Sequence, residues 1–319
     1  PRAATGVVLS RRPGPRYLDV LPMDAPAYRP THPVRFVTAA ALFDGHDAAI
    51  NVIRRLLQDS GAEVIHLGHN RSVLEIVQTA VDEDAQGIAI SSYQGGHVEF
   101  FKYAKDLLKE LGADHVKLFG GGGGVIVPAE IEDLERYGVE KIFSPEDGRR
   151  LGLQGMIDHM MRAADFEPPR LVRGGGVPRL VPTDRRLLAS AITATERAGF
   201  ADTELGRAVR AAADDLPRDR RAVVVGVTGT GGAGKSSLCD ELVLRFLEGT
   251  APAAVGGGEG PGGATVAVLS VDPSRRRTGG ALLGDRIRMN SIPHPRAYMR
   301  SLATRGAKGE LAAATRDAI

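Results

Sequence analysis

Between residues 34 and 164, short apolar runs alternate with amphipathic stretches five times over, and that rhythm leaves few folds open. The apolar runs fall at 34–40, 63–67, 87–91, 116–119 and 141–143. The first intervening stretch carries Ile50, Ile53, Leu56 and Leu57 on one side and stops at Gly61, placed as a C′ glycine. Further helical patterns cover 73–82, 98–111, 128–137 and 148–164. Strand and helix in strict alternation predict a parallel sheet covered on both faces. A flavodoxin-like, doubly wound α/β arrangement is the best match to five such units.

The flanks divide the chain. Residues 1–33 are rich in Pro and Arg without a period and read as an extended lead-in. Residues 165–220 form a linker opening on Pro168, Pro169 and Gly174 to Gly176, with a polar helical stretch around 185–213. A second α/β pattern occupies 221–319: a strand at 222–228, a Gly-rich loop, a helix at 235–247, a loop at 256–263 and a strand at 265–271. The formal charge is +2, aromatics are 5% and Trp is absent, which argues against a nucleic-acid partner. Cys239 is the single cysteine, so no internal disulfide forms and a reducing compartment fits. No run approaches the roughly 18 apolar residues of a membrane span. Arg11, Arg12 and Arg16 have no apolar stretch behind them, so no secretory signal is read. A cytoplasmic setting without membrane contact is the expectation.

Ligand sites in open α/β sheets lie beyond the carboxyl ends of the strands. The loop after the first strand reads Phe43-Asp44-Gly45-His46-Asp47. A His two residues from an Asp can ligate a metal through one ring nitrogen while the carboxylate holds the other. Alternatively, Asp44 caps the next helix and His46 is a surface residue. The loop after the third strand carries Ser91, Ser92, Tyr93, Gly95, Gly96 and His97, and the loop after the fourth runs Gly120 to Gly124. Together they outline a slot lined by main chain, suited to a long rigid ligand. His66, His69 and His97 have no matching Asp and read as structural or peripheral.

Asp44-x-His46, Ser91 and Gly123-Gly124 resemble the cobalamin-binding pattern of adenosylcobalamin-dependent acyl-CoA mutases, over about residues 34–160. The resemblance implies that His46 ligates cobalt from below, Asp44 orients it, and Ser91 contacts the displaced nucleotide tail of the cofactor. Gly123 and Gly124 would make room for that tail. Two positions depart from the pattern: Ala49 stands where Gly is usual, and Tyr93 where Leu is usual.

Gly229-Thr230-Gly231-Gly232-Ala233-Gly234-Lys235-Ser236 is a full GxxxxGKS phosphate loop, continued by Ser237. Backbone amides of such a turn and of the helix behind it face phosphates. Lys235 reaches the β- and γ-phosphates as the catalytic cation, and the Ser236 hydroxyl sits on Mg²⁺. Asp272 and Asp285 are candidate further magnesium ligands, with helix or turn capping as the alternative. The segments around Asp272, from Gly279 to Met289 and from Tyr298 to Gly306, resemble the P-loop metallochaperone GTPases that escort cobalamin into mutases. Guanine selectivity, and hence GTP with Mg²⁺, is implied by that resemblance alone. The strand-end acidic segment and the Asn-Lys-x-Asp base-reading loop of that family are expected beyond Ile319, which makes the P-loop domain partial.

Cobalamin domain first and GTPase second resembles the order of the fused isobutyryl-CoA mutases. That resemblance implies an N-terminal portion of a radical carbon-skeleton isomerase, with GTP hydrolysis gating cofactor loading. It also implies an acyl-CoA substrate held by a C-terminal domain, and a homodimer. Rival readings are a stand-alone cobalamin-binding GTPase chaperone, a corrinoid carrier for methyl transfer, and a P-loop kinase carrying an unrelated flavodoxin-like domain.

Overall fold

A computed structural model describes residues 27–169, 184–196, 203–214, 222–249, 263–307 and 311–319. Most of the lead-in, residues 170–183 of the linker and the loop at 256–262 lie outside the described residues.

The five expected units form: β1 (Arg35–Ala41), α1 (Asp47–Asp59), β2 (Glu63–Arg71), α2 (Val73–Asp82), β3 (Gly87–Ser91), α3 (His97–Glu110), β4 (Lys117–Gly121), α4 (Pro128–Tyr137), β5 (Lys141–Phe143) and α5 (Pro145–Ala164). Their sheet is parallel, in the order β5-β4-β3-β1-β2, the doubly wound flavodoxin-like topology. One face buries Ile76 and Val77 of α2, Phe101 and Leu108 of α3, and Leu134 of α4. The other buries Ile50 and Leu57 of α1 with Ile157 and Met160 of α5, over Phe36 and Phe119. Each such side chain contributes about 1.5–3 kcal/mol on burial. Local signals set the helix starts. Ser72 and Glu75 close a capping box on α2, and Ser144 and Asp147 close one on α5. Gly152, at φ 65°, breaks α5 inside its length.

Helices α6 (Arg185–Thr195) and α7 (Glu204–Asp214) occupy the stretch expected to be helical. Helix α6 is docked rather than solvated, with Leu187, Ala191 and Ile192 buried. Beyond it come α8 (Lys235–Gly249), β6 (Val266–Asp272), β7 (Ala281–Leu283), β8 (Ala297–Ala303) and α9 (Thr315–Ala318). Strands β6 and β8 pair in parallel, and α8 lays Val243 and Leu247 on Ala297 and Met299.

Two features depart from the sequence reading. The valines at 222–228 form no strand: Val223 is 89% and Val225 74% exposed. A strand needs a ladder to take its N–H and C=O groups, and among the described residues no strand pairs with this segment. Strand β7 leaves the second half and joins the first sheet, pairing Ala281 with Glu63 and Leu283 with Ile65 as a sixth strand beside β2.

The seam beside β7 is ionic. Arg286 donates to Asp82 at 2.7 Å and to Glu83 at 3.0 Å, and Arg185 also reaches Asp82 at 2.7 Å. Arg35 and Arg305 converge on Glu63, and Arg35, Arg300 and Arg305 on Glu196. Burial opposes ionisation of Glu63, but Arg35 and Arg305 outweigh it and hold the carboxyl down at about 2. Buried charges of this kind persist only when paired.

Candidate cofactor and nucleotide sites

Three loops meet at the carboxyl ends of β1, β3 and β4. The Asp44 carboxylate is buried, and three donors fix it there. Its Oδ1 accepts the His46 backbone N–H at 2.8 Å and faces the His46 Nδ1 at 2.9 Å, and its Oδ2 accepts the Tyr93 N–H at 2.7 Å. An ionised carboxylate is an acceptor only, so Nδ1 carries the hydrogen and Nε2 keeps its lone pair for a metal. The side chain of His46 is 74% exposed, so that nitrogen is open to a ligand. Asp44 therefore does more than cap α1, whose N-cap makes no side-chain hydrogen bond.

Beneath His46 lies a crevice of about 420 Å³, lined by Ile53, Ser91, Tyr93, Phe119, Gly120 to Gly123, Phe143 and Met160 among others. That volume is of the size that takes a small organic group. The Ser91 hydroxyl is buried, lines the crevice and has no hydrogen-bond partner. A buried orphan of this kind is costly unless a ligand completes it. Gly123 lies on the wall at φ 58°, and a Cβ there would sit 2.3 Å from the Tyr93 ring. Gly124 adjoins Pro145 and does not line the crevice. Tyr93 packs on His46 with ring centroids 5.3 Å apart, so this departure from the family pattern stands at the crevice mouth. A planar aromatic tail fits the apolar walls, the free hydroxyl and the glycine side.

Two of the other histidines have other work. Thr38 Oγ1 and His66 Nδ1 share a hydrogen bond at 2.9 Å, and burial depresses the His66 pKa to about 4. His97 sits between the Gln94 carbonyl and Glu130. Burial alone would lower its pKa, but these partners outweigh it and raise it.

At the second site, Gly229 to Gly234 form the turn that leads into α8, with Gly231, Gly232 and Ala233 exposed and Ser237 in the first helical turn. Lys235 Nζ donates to the carbonyls of Gly229 and Thr230 at 2.7 and 2.9 Å. The Ser236 hydroxyl donates to Asp285 at 2.9 Å, and Ser270 donates to the other Asp285 oxygen at 2.5 Å. Asp272 lies nearby with Oδ2 buried and unpaired; burial, reinforced by Asp285, pushes its carboxyl up to about 7. A cation would relieve that arrangement, and Ser236, Asp272 and Asp285 supply hard oxygen donors of the kind Mg²⁺ takes. Among the described residues no three His, Cys, Asp or Glu side chains cluster as a metal cage, so phosphate and water oxygens would complete the shell.

Sequence reasoning missed Ser270, a strand serine that reads as an ordinary outward residue. It also missed Asn70, whose Oδ1 accepts the Phe43 N–H at 2.9 Å and so props the loop that carries His46.

Residues 34–148 match the family described as B12 binding domain, and residues 188–319 match the family described as methylmalonyl Co-A mutase-associated GTPase MeaB. The chain joins a B12-binding domain to a MeaB-type GTPase domain. Over both domains together it is 59% identical to the fused isobutyryl-CoA mutase of Geobacillus kaustophilus strain HTA426, across 92% of this chain and 26% of the relative. The fused isobutyryl-CoA mutase of Cupriavidus metallidurans strain CH34 is 56% identical across 93% of this chain and 26% of its own length. That of Nocardia farcinica strain IFM 10152 is 53% identical across 89% and 25%. The chain thus spans about a quarter of the length of these relatives. The B12-binding domain holds the Asp44–His46 pair and the crevice, and the GTPase domain holds the phosphate loop. The MeaB match begins inside α6, the helix docked on α2.

Proposed function

We infer that this chain is the cofactor-binding and nucleotide-gating part of an adenosylcobalamin-dependent acyl-CoA mutase of the isobutyryl-CoA type. The observation that carries the reading is the Asp44–His46 pair set over a crevice with an orphaned Ser91 hydroxyl. Nε2 of His46 would ligate cobalt, Asp44 would hold the imidazole in the required tautomer, and Ser91 and Gly123 would receive the nucleotide tail of the cofactor. Adenosylcobalamin, when bound, supplies the radical chemistry of the rearrangement. The protein's part is to orient the cofactor and keep water from it.

On the nucleotide side, the turn from Gly229 to Gly234 and the amides of Lys235, Ser236 and Ser237 receive the phosphates of GTP. Lys235 neutralises their charge, while Ser236, Asp272 and Asp285 hold Mg²⁺. GTP binding and hydrolysis gate cofactor loading. The acyl-CoA is held by a domain outside this chain, and the assembly is a homodimer in the cytoplasm. No helix among the described residues is long and apolar enough to cross a membrane.

Titration with cobalamin, followed by absorbance, tests the reading. The unmodified chain should give a base-off spectrum with histidine as the lower ligand, and His46→Ala should lose the histidine-ligated signature while keeping its fold. The same spectrum from both proteins sinks it.

A further inference from the structure

The magnesium-side carboxylate and the cobalt-side loop are joined by a short run of contacts. Asp285 hangs between the hydroxyls of Ser236 and Ser270. It opens the 3-10 turn Arg286–Arg288, so its position sets that of Ile287 two residues on. The Ile287 side chain fills the space above Gly68 of β2, with Cδ1 2.9 Å from where a Gly68 Cβ would stand. There β2 is irregular: Ala39 pairs with Gly68 but Ala41 pairs with Arg71, so the register slips beside Ile287. Gly68 and Asn70 both have positive φ, 82° and 56°. Slips of this kind re-aim side chains next to functional sites. What this one aims is Asn70, whose carbonyl holds the Phe43 N–H at 2.9 Å, one residue before Asp44. Arg286, buried between the two domains on Asp82 and Glu83, is the fixed point about which the turn must move.

We propose that residues 285–287 transmit the state of the phosphate loop to the His46 loop through the β2 irregularity, with Ile287 and Asn70 as positioning residues. The proposal rests on the function inferred above and names the route by which its two sites communicate. A divalent cation beside Ser236 and Asp285 would be the largest local charge there and would reset the restraint on Asp285. The turn then shifts Ile287 against Gly68, and the strand end carries the shift through Asn70 to the loop that presents His46. Coupling between binding sites is reciprocal, so cobalamin must alter nucleotide affinity by the same factor.

The test uses the whole chain with Mg²⁺ and a non-hydrolysable GTP analogue. In the cofactor-free protein, the His46 ring proton resonance, assigned by its loss in His46→Gln, should move when the nucleotide is added. In a hydroxocobalamin titration, the analogue should change Kd about 5- to 150-fold, the usual span of such coupling. In Ile287→Ala each ligand should still bind alone, while the resonance shift should vanish and the Kd ratio should fall to one; in Asn70→Ala, at whatever cobalamin affinity it shows, the nucleotide should no longer move the His46 resonance. A nucleotide that binds without moving His46 overturns the route, and so does a full resonance shift retained in either variant. If the resonance responds but cobalamin fails to ligate His46, the route stands and the cofactor reading falls. Cobalamin ligation without any nucleotide effect has the opposite meaning.

Discussion

Arg286 of the GTPase domain and Asp82 of the B12-binding domain meet at 2.7 Å with both side chains buried. Glu83 takes the other arm of the same guanidinium at 3.0 Å, so one cation satisfies two buried carboxylates. Removing it leaves Asp82 to Arg185 and Glu83 to the Ser301 N–H and hydroxyl, with a buried positive charge lost between them. Arg286→Ala should cost about 3–5 kcal/mol in urea unfolding. A loss below about 1 kcal/mol, the range of a surface pair, would show that the seam is wet.

Asp44 is the carboxylate behind the metal-facing imidazole. Asp44→Ala should lower cobalamin affinity about 10- to 100-fold, as loss of an outer-shell partner commonly does. Circular dichroism should be unchanged, and unchanged affinity would mean that His46 needs no orienting group.

Gly123 combines a left-handed backbone with the Tyr93 ring pressed against it. Gly123→Ala should cost about 1–3 kcal/mol and weaken cobalamin binding. Adding Tyr93→Leu should recover part of both losses, because the ring is the obstacle. No recovery would place the whole cost in the backbone.

Lys235 lies on carbonyl oxygens that a phosphate charge would replace as partners. Lys235→Ala should abolish nucleotide hydrolysis in the full-length protein while cobalamin still binds. Calorimetry with GTP and absorbance with cobalamin separate the two, and a joint loss would indicate unfolding.

His66 is held neutral by burial, with its pKa down at about 4 against an ordinary value near 6.5. A depressed pKa means the folded state resists protonation, so its stabilising effect is present above about pH 6.5 and drains away as pH falls towards 4. Urea midpoints should fall across that window, and His66→Gln should flatten the fall. An equal slope in the variant would assign the acid sensitivity elsewhere.

The first domain is legible in the sequence because each of its signals is local. Apolar runs such as 87–91 alternate with helices, and two of those helices, α2 and α5, have their caps, Ser72 and Ser144, written beside them. The same holds for Asp44 and His46, two residues apart, and for the contiguous phosphate loop. What escaped depends on distant partners. The valines at 222–228 have strand chemistry but no adjoining ladder among the described residues, and the three residues of β7 carry no period at all. Asn70, Ser270 and Arg286 matter only for what lies opposite them, 27, 15 and 204 positions away.

Strand β7 gives the first domain an edge that it does not encode. Excised without residues 281–283, the B12-binding sheet would bare the ladder of β2 and strip Asp82 and Glu83 of Arg286. A naked rim of that kind seeks another strand, and among excised copies the one on offer is the same bared β2 edge of a neighbouring molecule. Dissecting this protein into separate modules thus invites edge-to-edge pairing between copies, and the unit to express is the pair.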